Sequence, residues 1–182
     1  AAGVARNLLT FARKHTPTKQ PTNLNAIIEG VLKLRAYEQS VSNIKVNTRL
    51  ALDLPEVMAD YSQMQQVFIN IILNAESAML ESNNGGTLTI TTQKFNNSVR
   101  ASFADDGPGI DKENLDRIFD PFFTTKEVGR GTGFGLSICY GLVHEHGGRI
   151  SVRSKPGEGA TFVVKIPIIS EGEQTAKEMD SM

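Results

Sequence analysis

One carboxylate set beside two glycine-rich loops limits the folds open to this chain more than any other feature. Asp105-Asp106-Gly107-Pro108-Gly109-Ile110 is followed about twenty residues on by Gly129-Arg130-Gly131-Thr132-Gly133-Phe134-Gly135-Leu136-Ser137. A carboxylate only accepts hydrogen bonds, so Asp105 suits an exocyclic amino group, and Gly107 and Gly109 let the backbone pass a flat ring where a Cβ would collide. Repeated glycines in the second loop, with a helix starting near Phe134, leave backbone N–H groups free, and their partial positive charge favours phosphate oxygens. The two loops thus suit the two ends of a nucleotide, adenine at Asp105 and phosphate at the second loop.

Several nucleotide grips are excluded. No Gly-Lys-Ser/Thr follows the second loop and neither loop contains G-x-G-x-x-G, which disfavours the P-loop, Rossmann and protein-kinase phosphate sites. Each cluster taken alone reads as a tight turn. A third element distinguishes the readings. Between Asp60 and Glu81, Met64, Val67, Phe68, Ile71, Ile72, Ala75 and Met79 recur at three- and four-residue spacing, which predicts an amphipathic helix, and Asp60 and Gln63 are placed as a capping box. Asn70 and Asn74 lie one turn apart on it and share a face. Helix interiors disfavour Asn, and an apolar stripe gives it no packing reason. Buried amides satisfied by neighbouring backbone are one reading. A side-chain oxygen ligand for Mg²⁺, with nucleotide phosphates supplying the compensating charge, is the other.

In order along the chain, these motifs resemble those of the ATP-binding catalytic domain of bacterial sensor histidine kinases, within the wider fold shared with DNA gyrase, MutL and heat-shock chaperone ATPases. Asn70-Ile71-Ile72-Leu73-Asn74-Ala75 is similar to the family's N box and Asp105-Asp106-Gly107-Pro108-Gly109 to its first glycine box. Phe119-Asp120-Pro121-Phe122-Phe123-Thr124-Thr125-Lys126 is similar to its F box, and Gly131-Thr132-Gly133-Phe134-Gly135-Leu136 to its second glycine box. Gly157-Glu158-Gly159-Ala160-Thr161-Phe162 resembles the closing strand-turn motif. The resemblance implies that Asp105 contacts adenine, that Asn74 coordinates Mg²⁺ and that Phe119 to Thr132 forms a lid over the phosphates of ATP. The candidate nucleotide-binding set is Asn70, Asn74, Asp105, Gly107, Gly109, Lys126, Arg130, Gly131, Thr132, Gly133, Phe134, Gly135, Leu136 and Thr161, with Asn74 alone as metal ligand.

Departures from the family pattern narrow the roles. Many members place Lys or Arg three residues after the magnesium Asn, and here that position is Ser77. Lys126 and Arg130 are the substitutes to consider for meeting the phosphates, against the plainer reading of solvated loop charges. Gyrase- and chaperone-type relatives carry a water-activating Glu four residues before the magnesium Asn. Here that position is Asn70, an amide with no useful basicity, which disfavours an ATP-hydrolysing switch. A nucleotide-sensing module without transfer is the third possibility, and its mark would be loss of Asn74 or Asp105, both of which are present.

The chain has 182 residues, 40% of them hydrophobic, and a formal net charge of -1, enough for one core and without a basic signal for nucleic acid. No segment reaches the roughly 20 apolar residues of a membrane span, and no signal-peptide core opens the chain, so a cytoplasmic location without membrane contact by this segment is expected, with membrane anchoring of a full-length protein left open. Cys139, the one cysteine, sits in an apolar helical stretch and reads as a buried thiol. Residues 1–16 read as the end of a dimerisation-bundle helix, 17–24 as a linker, 25–168 as the ATP-binding domain and 169–182 as a polar tail or linker.

Within the domain, patterning predicts a helix from Asn25 to Gln39, a strand from Ile44 to Leu50, and helices near 112–118 and 134–146. It also predicts two hairpins, Thr87 to Phe95 with Ser98 to Asp105 and Arg149 to Ser154 with Ala160 to Pro167, turning at Asn96-Asn97 and Pro156-Gly157. The expected fold class is an α/β two-layer sandwich of the Bergerat type, a mixed sheet with helices on one face plus the N-terminal helix fragment. His15 precedes Thr16-Pro17 at a helix end, and His144 and His146 lie two apart on a helix of the domain, so none has the context of a phosphoacceptor in the first helix of a dimerisation bundle. The acceptor and its base are expected on a bundle outside this chain, and no catalytic residue is assigned within it. The partners the resemblance implies are that dimerisation bundle, in a homodimer, and the receiver domain of a response regulator.

Overall fold

The computed structural model describes residues 17–125 and 133–168. A mixed five-stranded sheet carries helices on one of its faces, as the patterning predicts. In chain order the elements are β1 (Gln20–Thr22), α1 (Leu24–Val41), β2 (Ile44–Arg49), β3 (Val57–Ala59), α2 (Tyr61–Asn83), β4 (Gly86–Phe95) and β5 (Ser98–Asp105). They continue with α3 (Lys112–Leu115), α4 (Gly135–Glu145), β6 (Arg149–Ser154) and β7 (Ala160–Pro167). Strand order is β2-β4-β5-β7-β6, with β2 parallel to β4 and every other pairing antiparallel. The hairpins turn where expected, Asn96 taking φ 53° and Gly157 φ 80°.

Strand alternation divides the sheet into two faces. Leu88, Ile90, Val99, Ala101, Phe103, Phe162, Val164 and Ile166 point to the helices and are buried. The predicted stripe of α2 meets them: Met64, Val67, Phe68, Ile71, Ile72 and Met79 are fully buried, and the Phe68 and Phe103 rings lie 5.4 Å apart. Each such side chain contributes roughly 2 kcal/mol by leaving water. On its other flank α2 is held to α1 through Glu76, which accepts from Arg35 at 2.7 Å and Gln39 at 2.8 Å.

Two local features differ from the sequence expectation. Residues 20–22, read as linker, form a strand antiparallel to β3, pairing Pro21 with Met58. Three-residue strands carry too little period-two pattern to stand out. The capping box at α2 is half made: Asp60 accepts from the Gln63 N–H at 2.9 Å, but the Asp60 N–H donates to His146 Nε2 at 3.0 Å instead of to Gln63. His146 Nδ1 in turn lies 2.7 Å from the Leu142 carbonyl, so its two partners select the Nδ1–H tautomer. His146 is therefore structural, as its sequence context indicates. The expected N-terminal helix and polar tail lie outside the described residues.

Candidate functional site

A cavity of about 170 Å³ opens between α2, the loop after β5, the start of α4 and the β6–β7 hairpin. Asn74, Asp105, Gly109 and Leu136 line it, with Ala75, Ala78, Ile110, Asn114, Ile118, Phe123, Thr124, Thr125, Ala160 and Phe162. The wall is largely apolar with a few polar groups aimed inward, the usual make-up of a small-molecule site.

Asp105 ends β5 with its side chain on the helical face and 9% exposed. Its Oδ1 accepts from the Gly107 N–H at 3.0 Å and the Ala160 N–H at 3.2 Å. Oδ2 has no hydrogen-bond partner among the described residues, which leaves one acceptor directed at the cavity. Burial pushes the carboxyl above its ordinary 3.8, the Gly107 and Ala160 N–H groups oppose that rise, and the neighbouring Asp106 charge adds to it. Asp106 itself points elsewhere and accepts from the Thr87 N–H at 2.8 Å.

The first-loop glycines have reasons within the protein. At Gly107 a Cβ would come within 2.9 Å of Asp105 Oδ1, crowding the contact that holds the carboxylate. Gly109 has φ +75°, and a Cβ there would collide with the Lys155 carbonyl oxygen. Clearance for a flat ring, the reason inferred from sequence, is thus not the first requirement. The loop must dock on the hairpin, where Gly157 N–H donates to Pro108 O at 2.7 Å and Ser154 Oγ links Ile110 N–H to Gly159 O.

Asn74 faces the cavity from α2 and makes no side-chain hydrogen bond among the described residues. Asn70, a turn earlier, reaches the Gly135 carbonyl at 3.4 Å and so ties α2 to the first residue of α4. Gly133 has φ +67°, and a Cβ on it would come within 2.5 Å of the Phe122 carbonyl carbon. Phe122 and Phe134 meet edge to face at 4.5 Å. These contacts set Phe122, within the predicted lid segment, against Gly133 and Phe134 just past its end. Helix α4 begins at Gly135 with no side-chain cap, leaving its first N–H groups available to an anion. The structure thus gathers Asn70, Asn74, Asp105, Gly107, Gly109, Gly133, Phe134, Gly135 and Leu136; Lys126, Arg130, Gly131 and Thr132 lie outside the described residues.

Thr161 does not join them. It pairs with Ala104 across β5–β7, and alternation sends its side chain to the open face of the sheet while Ala160 and Phe162 line the cavity. The functional group at this point is the Ala160 N–H, which reading by side-chain type passes over. Asn114 and Ile118 were not singled out, and Ile110 and Phe123 were quoted only within their motifs, since residues scattered singly along the chain carry no spacing signal.

The donor set fits Mg²⁺ bound together with a polyphosphate. No group of three or more His, Cys, Asp or Glu that could hold a metal alone occurs among the described residues, so most ligands would be phosphate oxygens, with Asn74 adding one. Cys139 is no nucleophile, since burial raises its thiol to about 12, offset in part by Asn70. No helix of the described residues is long and apolar enough to cross a membrane.

Comparison with known proteins agrees with this geometry. Residues 59–170 match the family described as histidine kinase-, DNA gyrase B-, and HSP90-like ATPase. The sensor kinase CckA of Brucella abortus is 35% identical over 94% of this chain, which spans only 19% of CckA. Among solved structures, the catalytic domain of the histidine kinase ThkA superposes with a TM-score of 0.71 at 34% identity, covering 82% of this chain and 95% of that domain. ThkA in complex with the response regulator protein TrrA gives 0.75 at 29% identity, over 92% of this chain and 47% of that one. Full-length ShkA in complex with AMPPNP gives 0.78 at 26% identity, over 92% of this chain and 36% of that one.

Proposed function

The chain belongs to the histidine kinase-, DNA gyrase B- and HSP90-like ATPase family, and from that premise we propose that it is the ATP-binding catalytic module of a sensor histidine kinase. Asp105 Oδ2 accepts from the adenine amino group. The α4 N-terminus and the Gly133–Gly135 turn face the phosphates, and Asn74 contributes one oxygen to Mg²⁺. The cation neutralises phosphate charge when bound. The observation that carries this reading is the half-used Asp105 carboxylate, anchored through Oδ1 and open through Oδ2 among the described residues, beside Asn74, which has no side-chain partner among them.

Phosphoryl transfer requires positioning and charge neutralisation more than covalent chemistry by the protein. A histidine on a separate dimerisation bundle attacks the γ-phosphorus. The bond to the β–γ bridging oxygen breaks, ADP leaves, and a base on the bundle takes the imidazole proton. The phosphoryl group then passes to a response regulator, as the ThkA–TrrA assembly suggests by analogy. Since the chain spans a small part of its relatives, these partners and the cytoplasmic location belong to the proposal. Hydrolysis as the main activity is disfavoured by Asn70, whose side chain is engaged with Gly135 and has no basicity.

The test offers γ-³²P-ATP to the chain with and without a separately expressed dimerisation bundle. Label should appear on the bundle's histidine only, with Mg²⁺ required, and Asn74→Ala should reduce ATP binding in Mg²⁺ to the level seen in EDTA. Stable label on this chain alone, or rapid phosphate release abolished by Asn70→Ala, would move the assignment to another class.

A further inference from the structure

Strand order gathers onto the open face of the sheet a set of cations that the sequence scatters. One row across the strands is Gln93, Arg100, Lys165 and Arg149. The next is Arg49, Thr91, Ser102, Val163 and Ser151, and the third is Asn47, Thr89, Ala104, Thr161 and Arg153, with Lys45 beside Thr87 beyond it. Neither Asp nor Glu stands in any of these rows, although the chain as a whole carries a net charge of -1. None of the six cations has a carboxylate within ion-pair distance among the described residues. Arg100 Nε is buried without an acceptor, and Lys165 and Arg100 are held over the Phe95 ring at 4.7 and 5.8 Å.

We infer that this face is a docking surface for an acidic protein segment, independently of the nucleotide site. Its centre is small and neutral (Thr89, Thr91, Ser102, Ala104, Thr161 and the buried Val163), and its cations stand around that centre. The cations match the polar rim of protein interfaces, and the small side chains of the centre let an extended segment approach the strands. Four of the six cations are arginines, whose planar forks match carboxylates with two parallel hydrogen bonds. Like charges adjacent across strands repel one another, so Arg100, Lys165 and Arg149 in one row favour an anionic occupant. Nucleic acid fits less well because, among the described residues, Phe95 is the single aromatic ring that the strands place on this face and already lies under two cations, so the face offers no series of rings on which successive bases could stack. A lipid surface fits less well because no large apolar side chain projects from the middle of the face to enter it.

The test titrates the ¹⁵N-labelled chain with octaglutamate, with a short DNA duplex and with phosphatidylglycerol vesicles, at about 50 and about 200 mM salt. Octaglutamate should shift amide signals of β4, β5, β6 and β7 and bind at least tenfold more weakly at the higher salt, as exposed charge pairs do. The triple variant Arg100→Gln, Arg149→Gln, Lys165→Gln should lose at least tenfold in peptide affinity while ATP binding and the melting temperature hold. Peptide affinity unchanged in a folded variant, shifts confined to another surface, or tighter binding to DNA or vesicles than to the peptide would overturn the inference.

Discussion

At one end of the antiparallel α2–α4 pair, Asp60 and His146 engage every side-chain nitrogen and oxygen with protein partners; about 21 Å along α2, fourteen residues at the helical rise, Asn74 and Asp105 do not. Asp60 accepts from Gln63 N–H through Oδ1 and from Thr18 N–H through Oδ2, and its own N–H meets His146. Asn74 has no partner among the described residues and Asp105 uses one oxygen of two. Both ends are built from buried or part-buried polar residues. What separates a structural joint from a binding site is therefore unsatisfied hydrogen-bonding capacity facing a cavity, since buried polar groups are otherwise paired. The closed end ties the chain at Thr18 to both helices that carry the open one.

Breaking the closed end should have the largest effect. Asp60→Ala removes the helix cap and leaves the Thr18 and Gln63 N–H groups without their acceptor, for a loss of about 3 kcal/mol of folding stability. Urea denaturation measures it, and ATP affinity of the folded protein should stay within about twofold if the two ends have separate roles. A loss under about 0.5 kcal/mol would show that the joint carries no stability.

The open end should respond in the opposite sense. Asp105→Asn keeps an oxygen for Gly107 and Ala160 but replaces the free acceptor with a donor, so ATP affinity should fall by about 2 kcal/mol, roughly thirtyfold, in calorimetry. Folding should not suffer at pH 7. Because burial raises the Asp105 carboxyl above 3.8, the native state holds its proton to higher pH than the unfolded chain. The contribution of Asp105 to stability therefore declines as pH rises from 3.8 through the raised value, and the ionised group disfavours the apo fold above it. The variant should lack this decline and melt at or above the wild-type temperature at pH 7, whereas wild-type ATP affinity should weaken on acidification through the same window. A variant less stable than wild type at neutral pH would mean that the carboxylate is structural, as at Asp60.

The smallest effect tests the segment between the ends. Gly141 lies within α4 with open space around its Cα, so Gly141→Ala should stabilise the fold by about 0.5–1 kcal/mol through helix propensity and leave ATP affinity unchanged. Thermal melting with a parallel binding titration checks both. A change in affinity would show that α4 transmits strain from one end to the other.

Periodicity alone made α2, both hairpins and the sandwich legible, because a stripe of Met64, Val67, Phe68, Ile71 and Ile72 buries one face whatever packs on it. Asp105 and Asn74 were legible as chemistry out of place, a carboxylate before glycines and amides on an apolar helix. Thr161 was counted among the nucleotide residues although its side chain faces away from the cavity, because alternation shows that neighbours oppose each other, not which of them meets the helices. The Asp60–His146 joint spans 86 positions and β1 is three residues long, so neither leaves a local pattern. The reason for Gly109 was equally hidden, since the Lys155 carbonyl it clears belongs to a distant hairpin. Composition, spacing and side-chain chemistry act over a few residues, and these determined the elements and the residue types of the site. Strand order, register and long-range contacts arise only when the chain closes on itself, and these decided which Asp105 oxygen stays free and that Lys45, Arg49, Arg100, Arg149, Arg153 and Lys165 share one face.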